Sequence, residues 1–128
     1  MTRVVTLQKS GSELRWTSEG GPVVLKMEGR VDVLVGPREQ LVYVLTESDS
    51  TQSLEVYNVA GEQVQRLLPP EGGHFRYLVC TERKVQMLCG FPSSRPGFSE
   101  WHYDIDLERA VFVNGRFDIR SKIQSGIV

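Results

Sequence analysis

The sequence predicts an all-β fold of antiparallel meander sheets with little helix, arranged as a sandwich, a partial barrel or propeller-blade-like sheets. Two observations carry that expectation. Apolar clusters rich in Val, Leu, Tyr and Phe recur about every ten residues, each bounded by Gly, Pro, Ser or Asn. Residues 41–45 are apolar on both strand faces, as a central strand covered on both sides requires. The chain has 128 residues, 40 % hydrophobic and 24 % charged. That is the composition of one globular domain spanning 1–128, not of a disordered or membrane-embedded chain.

Strands are expected near 4–8, 14–17, 23–28, 31–35, 41–47, 54–59, 64–68, 75–81, 84–89, 101–106, 110–113 and 116–120. Two stretches also fit a helix. In 62–68, Val64, Leu67 and Leu68 fall at i, i+3 and i+4 ahead of Pro69–Pro70. In 37–45 a proline opens the segment, as it does many first helical turns, but Val42, Tyr43 and Val44 favour a strand. A faint repeat relates 41–67 to 85–113, matching Tyr57 to Tyr103 and Val64 to Val111. Its period suits a propeller blade of roughly 40–50 residues. A closed monomeric propeller needs at least about four blades, more than this chain holds. Completion of such sheets by a second copy keeps a homo-oligomer among the expected states.

The best-defined segment is 101–120. Asn114–Gly115 is a strong hairpin signal, because a type I′ turn needs positive φ at both central residues. With a second turn at Leu107–Glu108, Tyr103 pairs Phe112 and Ile105 pairs Ala110. One face then gathers Trp101, Tyr103, Ile105, Ala110, Phe112, Phe117 and Ile119 as core. The opposite face carries His102, Asp104, Asp106, Arg109, Arg116, Asp118 and Arg120.

Cys80 and Cys89 lie in a hairpin turning at Glu82–Arg83, with Cys80 opposite Val85 and Arg76 opposite Cys89. They are on the order of 13 Å apart along the ribbon, beyond the ~7 Å a disulfide spans. Both are expected to be buried, reduced thiols. No apolar run matches a signal peptide or the ~20 residues of a membrane helix. The expected location is the cytoplasm, with no membrane partner.

Fifteen basic and sixteen acidic residues give a net charge of −1, which argues against direct nucleic-acid binding through neutralised phosphates. The phosphate loop, nucleophile elbow and zinc-protease motifs are missing, so no catalytic residue, metal or cofactor is assigned. His102, Asp104 and Asp106 on one strand face could hold a metal, but residues i and i+2 lie ~7 Å apart and converge poorly. Residues 100–108 contain four carboxylates and no base, a patch suited to steering a basic protein. The loop 90–99 offers Arg95 between two prolines and Phe98, residue types enriched at interface hot spots.

The expected function is therefore a non-enzymatic protein-binding domain using Glu100, His102, Asp104, Asp106, Arg95 and Phe98. Small β domains of this kind include immunity proteins that block a basic toxin or nuclease, a comparison of fold alone. The alternatives are a carbohydrate or small-ligand module stacking its ligand on Trp16 or Trp101, and a small hydrolase using His74 or His102.

Overall fold

The computed structural model describes residues 7–18, 20–37, 40–91 and 100–117. Strand accounts for 68 % of them and none is helical. The eleven strands are β1 (Leu7–Ser10), β2 (Glu13–Ser18), β3 (Gly21–Lys26), β4 (Arg30–Val35), β5 (Val42–Ser48), β6 (Thr51–Tyr57), β7 (Gln63–Leu67), β8 (His74–Cys80), β9 (Val85–Gly90), β10 (Glu100–Asp106) and β11 (Val111–Phe117). They form three antiparallel meanders, β1-β2-β3, β4-β5-β6-β7 and β11-β10-β9-β8. The chain divides between Leu68 and Pro69 into two compact units. The first holds two sheets and the second holds one.

In the first unit, β2 alternates, burying Leu14, Trp16 and Ser18 while Arg15 and Thr17 face outward. Its buried face packs on Val31, Val42, Val44 and Tyr57 of the second sheet, with Met27 between them. Each large apolar side chain buried there contributes roughly 1.5–3 kcal/mol. Trp16 also donates its indole N–H to the Val59 carbonyl at 2.7 Å, so the ring is buried without an unmet donor. The link from β3 to β4 is only three residues and crosses against β5. Gly29, at φ +75°, makes that crossing possible, because a Cβ there would run into the Glu47 carbonyl.

Strand β5 buries Val42, Tyr43, Val44 and Leu45 consecutively, as the two-sided apolar run predicts. Neither helical alternative forms. Residues 63–67 pair with β6 as an edge strand, and Gln40 at φ +53° interrupts 37–45 before β5 begins. The β5–β6 turn is two residues long, Asp49–Ser50, both at positive φ. That is the backbone a type I′ hairpin needs.

The second unit corrects the expected hairpin at Asn114–Gly115. Strand β11 runs straight through that dipeptide as one strand from Val111 to Phe117. Asn114 keeps its positive φ but spends it on a bulge, where the pairing with β10 shifts register between His102 and Asp104. Two contacts hold the bulge. The Asn114 amide donates to Asp104 at 2.9 Å, and the Tyr103 ring lies where a side chain at position 115 would be, 2.7 Å from a Cβ built on Gly115. The turn after β10 spans residues 107–110, which pairs Ile105 with Phe112 instead of Tyr103 with Phe112. The shift is two residues, so Ile105 and Phe112 keep their face, while Ala110, expected on that face, sits in the turn at φ +57°. Phe112 does join the apolar face, edge-on to Phe75 and Tyr103 at 5.5 and 6.1 Å between ring centres.

The β8–β9 hairpin has the expected register near its turn, Cys80 opposite Val85, and a bulge then brings Phe75 rather than Arg76 opposite Cys89. Both cysteines are free thiols, as expected, but Cys80 is exposed and only Cys89 is buried. Cys80 ends the edge strand β8 beside the turn. Burial pushes the Cys89 thiol up to about 12, which leaves it unreactive as a nucleophile.

The repeat is present as architecture. Strands β5-β6-β7 and β9-β10-β11 are the last three strands of two four-stranded meanders. The two matched tyrosines are displaced within it: Tyr57 pairs with the first residue of β5, Tyr103 with the third residue of β9.

Candidate functional site

Three of the four carboxylates expected to form an acidic patch lie on β10, but that strand is half-buried along its whole length, not open on one face. Each of those three has a cation beside it, while Glu108 lies exposed in the turn after the strand. Glu100 meets Arg76 at 3.0 Å, Asp104 meets Lys84 at 2.8 Å, and Asp106 meets Arg109 at 3.9 Å. Asp106 additionally accepts the Arg109 backbone N–H at 3.1 Å, closing the turn after the strand. Asp104 is the most constrained, accepting also from Gln86 at 2.8 Å and Asn114 at 2.9 Å. Burial alone would raise its carboxyl. The hydrogen bonds from Lys84, Gln86 and Asn114, with the Lys84 charge, instead hold it down at about 2.

His102 shares the β10 strand with them, half-buried beside Leu88. His74 is exposed at the start of β8, its ring against Gly90. Among the described residues no three His, Cys, Asp or Glu side chains gather as a metal site. Arg95 and Phe98 lie outside the described residues. Trp16, 2 % exposed and hydrogen-bonded to the backbone, belongs to the core and offers no stacking face.

A different feature emerges in the first unit. Along β5 and β6, the face that carries Val42, Val44 and Tyr57 under the first sheet continues into Thr46, Ser53 and Glu55. Here it opens as a groove of about 310 Å³ whose lining also includes Lys26, Met27 and Arg66. Pairing brings the polar groups together: Thr46 lies opposite Ser53 and Glu55 opposite Arg66. Their hydrogen bonds form a chain. The Thr46 and Ser53 hydroxyls are 3.0 Å apart, Ser53 donates to one Glu55 oxygen at 3.2 Å, and the Tyr57 hydroxyl donates to the other at 2.5 Å. Burial, then the Glu55 hydrogen bond and charge, push the Tyr57 phenol well above its usual range. It therefore stays a proton donor at any physiological pH.

No family model, curated protein or solved structure matches this chain. Function must be argued from the geometry.

The sequence pattern does not reveal this groove, because 48–53 falls between the strands expected at 41–47 and 54–59. The usable signal was parity. Positions 42, 44, 46 and 48 share one face, and a two-residue turn at Asp49–Ser50 returns 51, 53, 55 and 57 to that face. Read that way, the face changes from apolar to hydroxyl-rich at Thr46.

Proposed function

We propose that this chain is a non-enzymatic protein-binding domain that takes up an extended segment of a partner along its sheet edges. One observation carries the reading. Among the described residues, the exposed large hydrophobics are Val24, Val64, Leu68, Tyr77 and Val111. Four of them sit on the edge strands β3, β7, β8 and β11, and Leu68 directly follows β7. An edge strand presents unpaired backbone N–H and C=O groups, and soluble proteins normally blunt it with charge or proline. Apolar side chains retained on edges are suited to strand addition, in which backbone hydrogen bonds supply affinity and side chains supply selectivity.

Tyr77 on β8 is the natural anchor: 49 % exposed, aromatic, and followed in the hot-spot ranking by its neighbour type Arg76. A basic partner steered by Glu100, Asp104 and Asp106, such as a toxin or nuclease, draws less support, since intramolecular cations already sit on those carboxylates.

The test is selection of displayed linear peptides on the intact chain, followed by amide chemical-shift mapping of the binders. Shifts concentrated on β3, β7, β8 or β11, with affinity lost in Tyr77→Lys or Val64→Lys, support the reading. Binders that shift only central strands, or that ignore both substitutions, contradict it.

A further inference from the structure

We infer that the groove lined by Lys26 and Arg66 in the first unit binds a small anionic sugar, a hydroxyl-rich ring bearing a carboxylate or phosphate. This stands apart from the edge-strand reading, since the groove uses side chains on one sheet face of β5, β6 and β7 together with Lys26, Met27 and Glu28, and not the backbone edges that strand addition would pair.

The first ground is unspent positive charge. Arg66 lies directly opposite Glu55 across the β6–β7 ladder, yet the Glu55 carboxylate turns to Ser53 and Tyr57. Neither Arg66 nor Lys26 has an ionic partner among the described residues. A guanidinium presents a fork of donors matched to carboxylate or phosphate, and Lys26 adds a second cation to the groove lining.

The second ground is the groove floor. Ser53 is 5 % exposed and holds its hydroxyl inside the chain from Thr46 to Glu55. Each Glu55 oxygen accepts one hydrogen bond and keeps a lone pair for another. The hydroxyls of Ser48 and Thr51, opposite one another at the rim, can both donate and accept. A carboxylate with spare acceptor capacity, ringed by hydroxyls, complements vicinal hydroxyl groups. It repels a bare anion, and a bare anion would leave it unused.

The third ground is size. A volume of about 310 Å³ lies at the small end of ligand pockets, about 300–1,000 Å³. That accommodates one substituted sugar ring rather than a chain.

The test is amide chemical-shift titration of the intact chain with glucuronate and glucose 6-phosphate, beside glucose, inorganic phosphate and an acidic peptide. Saturable millimolar binding of one or both anionic sugars is expected, with shifts at Thr46, Ser53, Glu55 and Arg66. Preference between the two separates carboxylate from phosphate as the recognised group. Glucose should bind about tenfold more weakly, and Arg66→Gln should weaken the anionic sugar by about tenfold. Thr51→Val, at the exposed rim, should weaken it less while leaving the fold intact. Inorganic phosphate equal to the sugars would overturn the proposal by showing a bare anion site. Binding of the acidic peptide alone would overturn it in favour of a partner's carboxylate. No saturable shift with any sugar would overturn it outright.

Discussion

The two four-stranded meanders spend their charge differently. In the second unit, Asp104 accepts from Lys84, Gln86 and Asn114 at 2.8–2.9 Å, so both charges of the pair are consumed in holding the sheet. In the first unit, Glu55 faces Arg66 across the ladder but takes its hydrogen bonds from neutral hydroxyls. Among the described residues the cation has no ionic partner. Cross-strand charge pairing is therefore no guide to function by itself. What separates a structural carboxylate from a recognition surface is whether the opposing charge is already satisfied. That difference moves attention from β10, where the sequence is densest in acid, to β5–β7, where the density of charge is low.

Substitutions sharpen the contrast, the largest effect first. Both units hold glycines that a neighbour approaches closely, and Gly29 and Gly115 differ in what does the approaching. At Gly29 it is the Glu47 backbone, and φ is +75°. Gly29→Ala combines left-handed strain with an unyielding clash and should cost about 3–4 kcal/mol in urea unfolding. At Gly115 the obstacle is the Tyr103 ring, which can swing away, so Gly115→Ala should cost about 1–2 kcal/mol. A larger loss at Gly115 than at Gly29 would mean that the ring is the more rigid element.

The Asp104 carboxyl adds a pH signature to the second unit. Its folded value of about 2 is below the ordinary 3.8, so the unfolded chain takes up the proton first. The stabilisation is full above about pH 4 and disappears as pH falls through about 2. Discounted for the water around half-exposed Lys84, it amounts to about 1–2 kcal/mol. Wild-type stability should fall across that window, and Asp104→Asn should flatten the fall. An unchanged slope in the variant would place the acid-sensitive group elsewhere.

Much of the fold could be read from parity and punctuation. The buried run 42–45, the β8–β9 register at Cys80–Val85 and the apolar face of Tyr103, Ile105 and Phe112 all follow from period-two patterning. Turn chemistry was the weaker guide. Asn114–Gly115 has the dipeptide of a type I′ hairpin and forms a bulge, because Tyr103 and Asp104 on the neighbouring strand bind it in place. Asp49–Ser50 has a less distinctive dipeptide and forms the two-residue hairpin, because strong β5 and β6 strands leave it no alternative. Tertiary partners decided both. The site was less legible for the same reason: no local feature of the sequence says that Lys84 finds Asp104 while Arg66, opposite Glu55, has no ionic partner among the described residues.

The smallest expected effect is also the most direct test. Urea unfolding of Arg66→Gln should leave stability within about 0.5 kcal/mol of wild type, against the loss of about 1–2 kcal/mol for Asp104→Asn at neutral pH. Arg66 would then be a cation that folding does not use, and Asp104 a carboxylate that folding does. A loss at Arg66 equal to or greater than that at Asp104 would show that Arg66 is already engaged in the folded protein, and would contradict the division of labour between the two meanders.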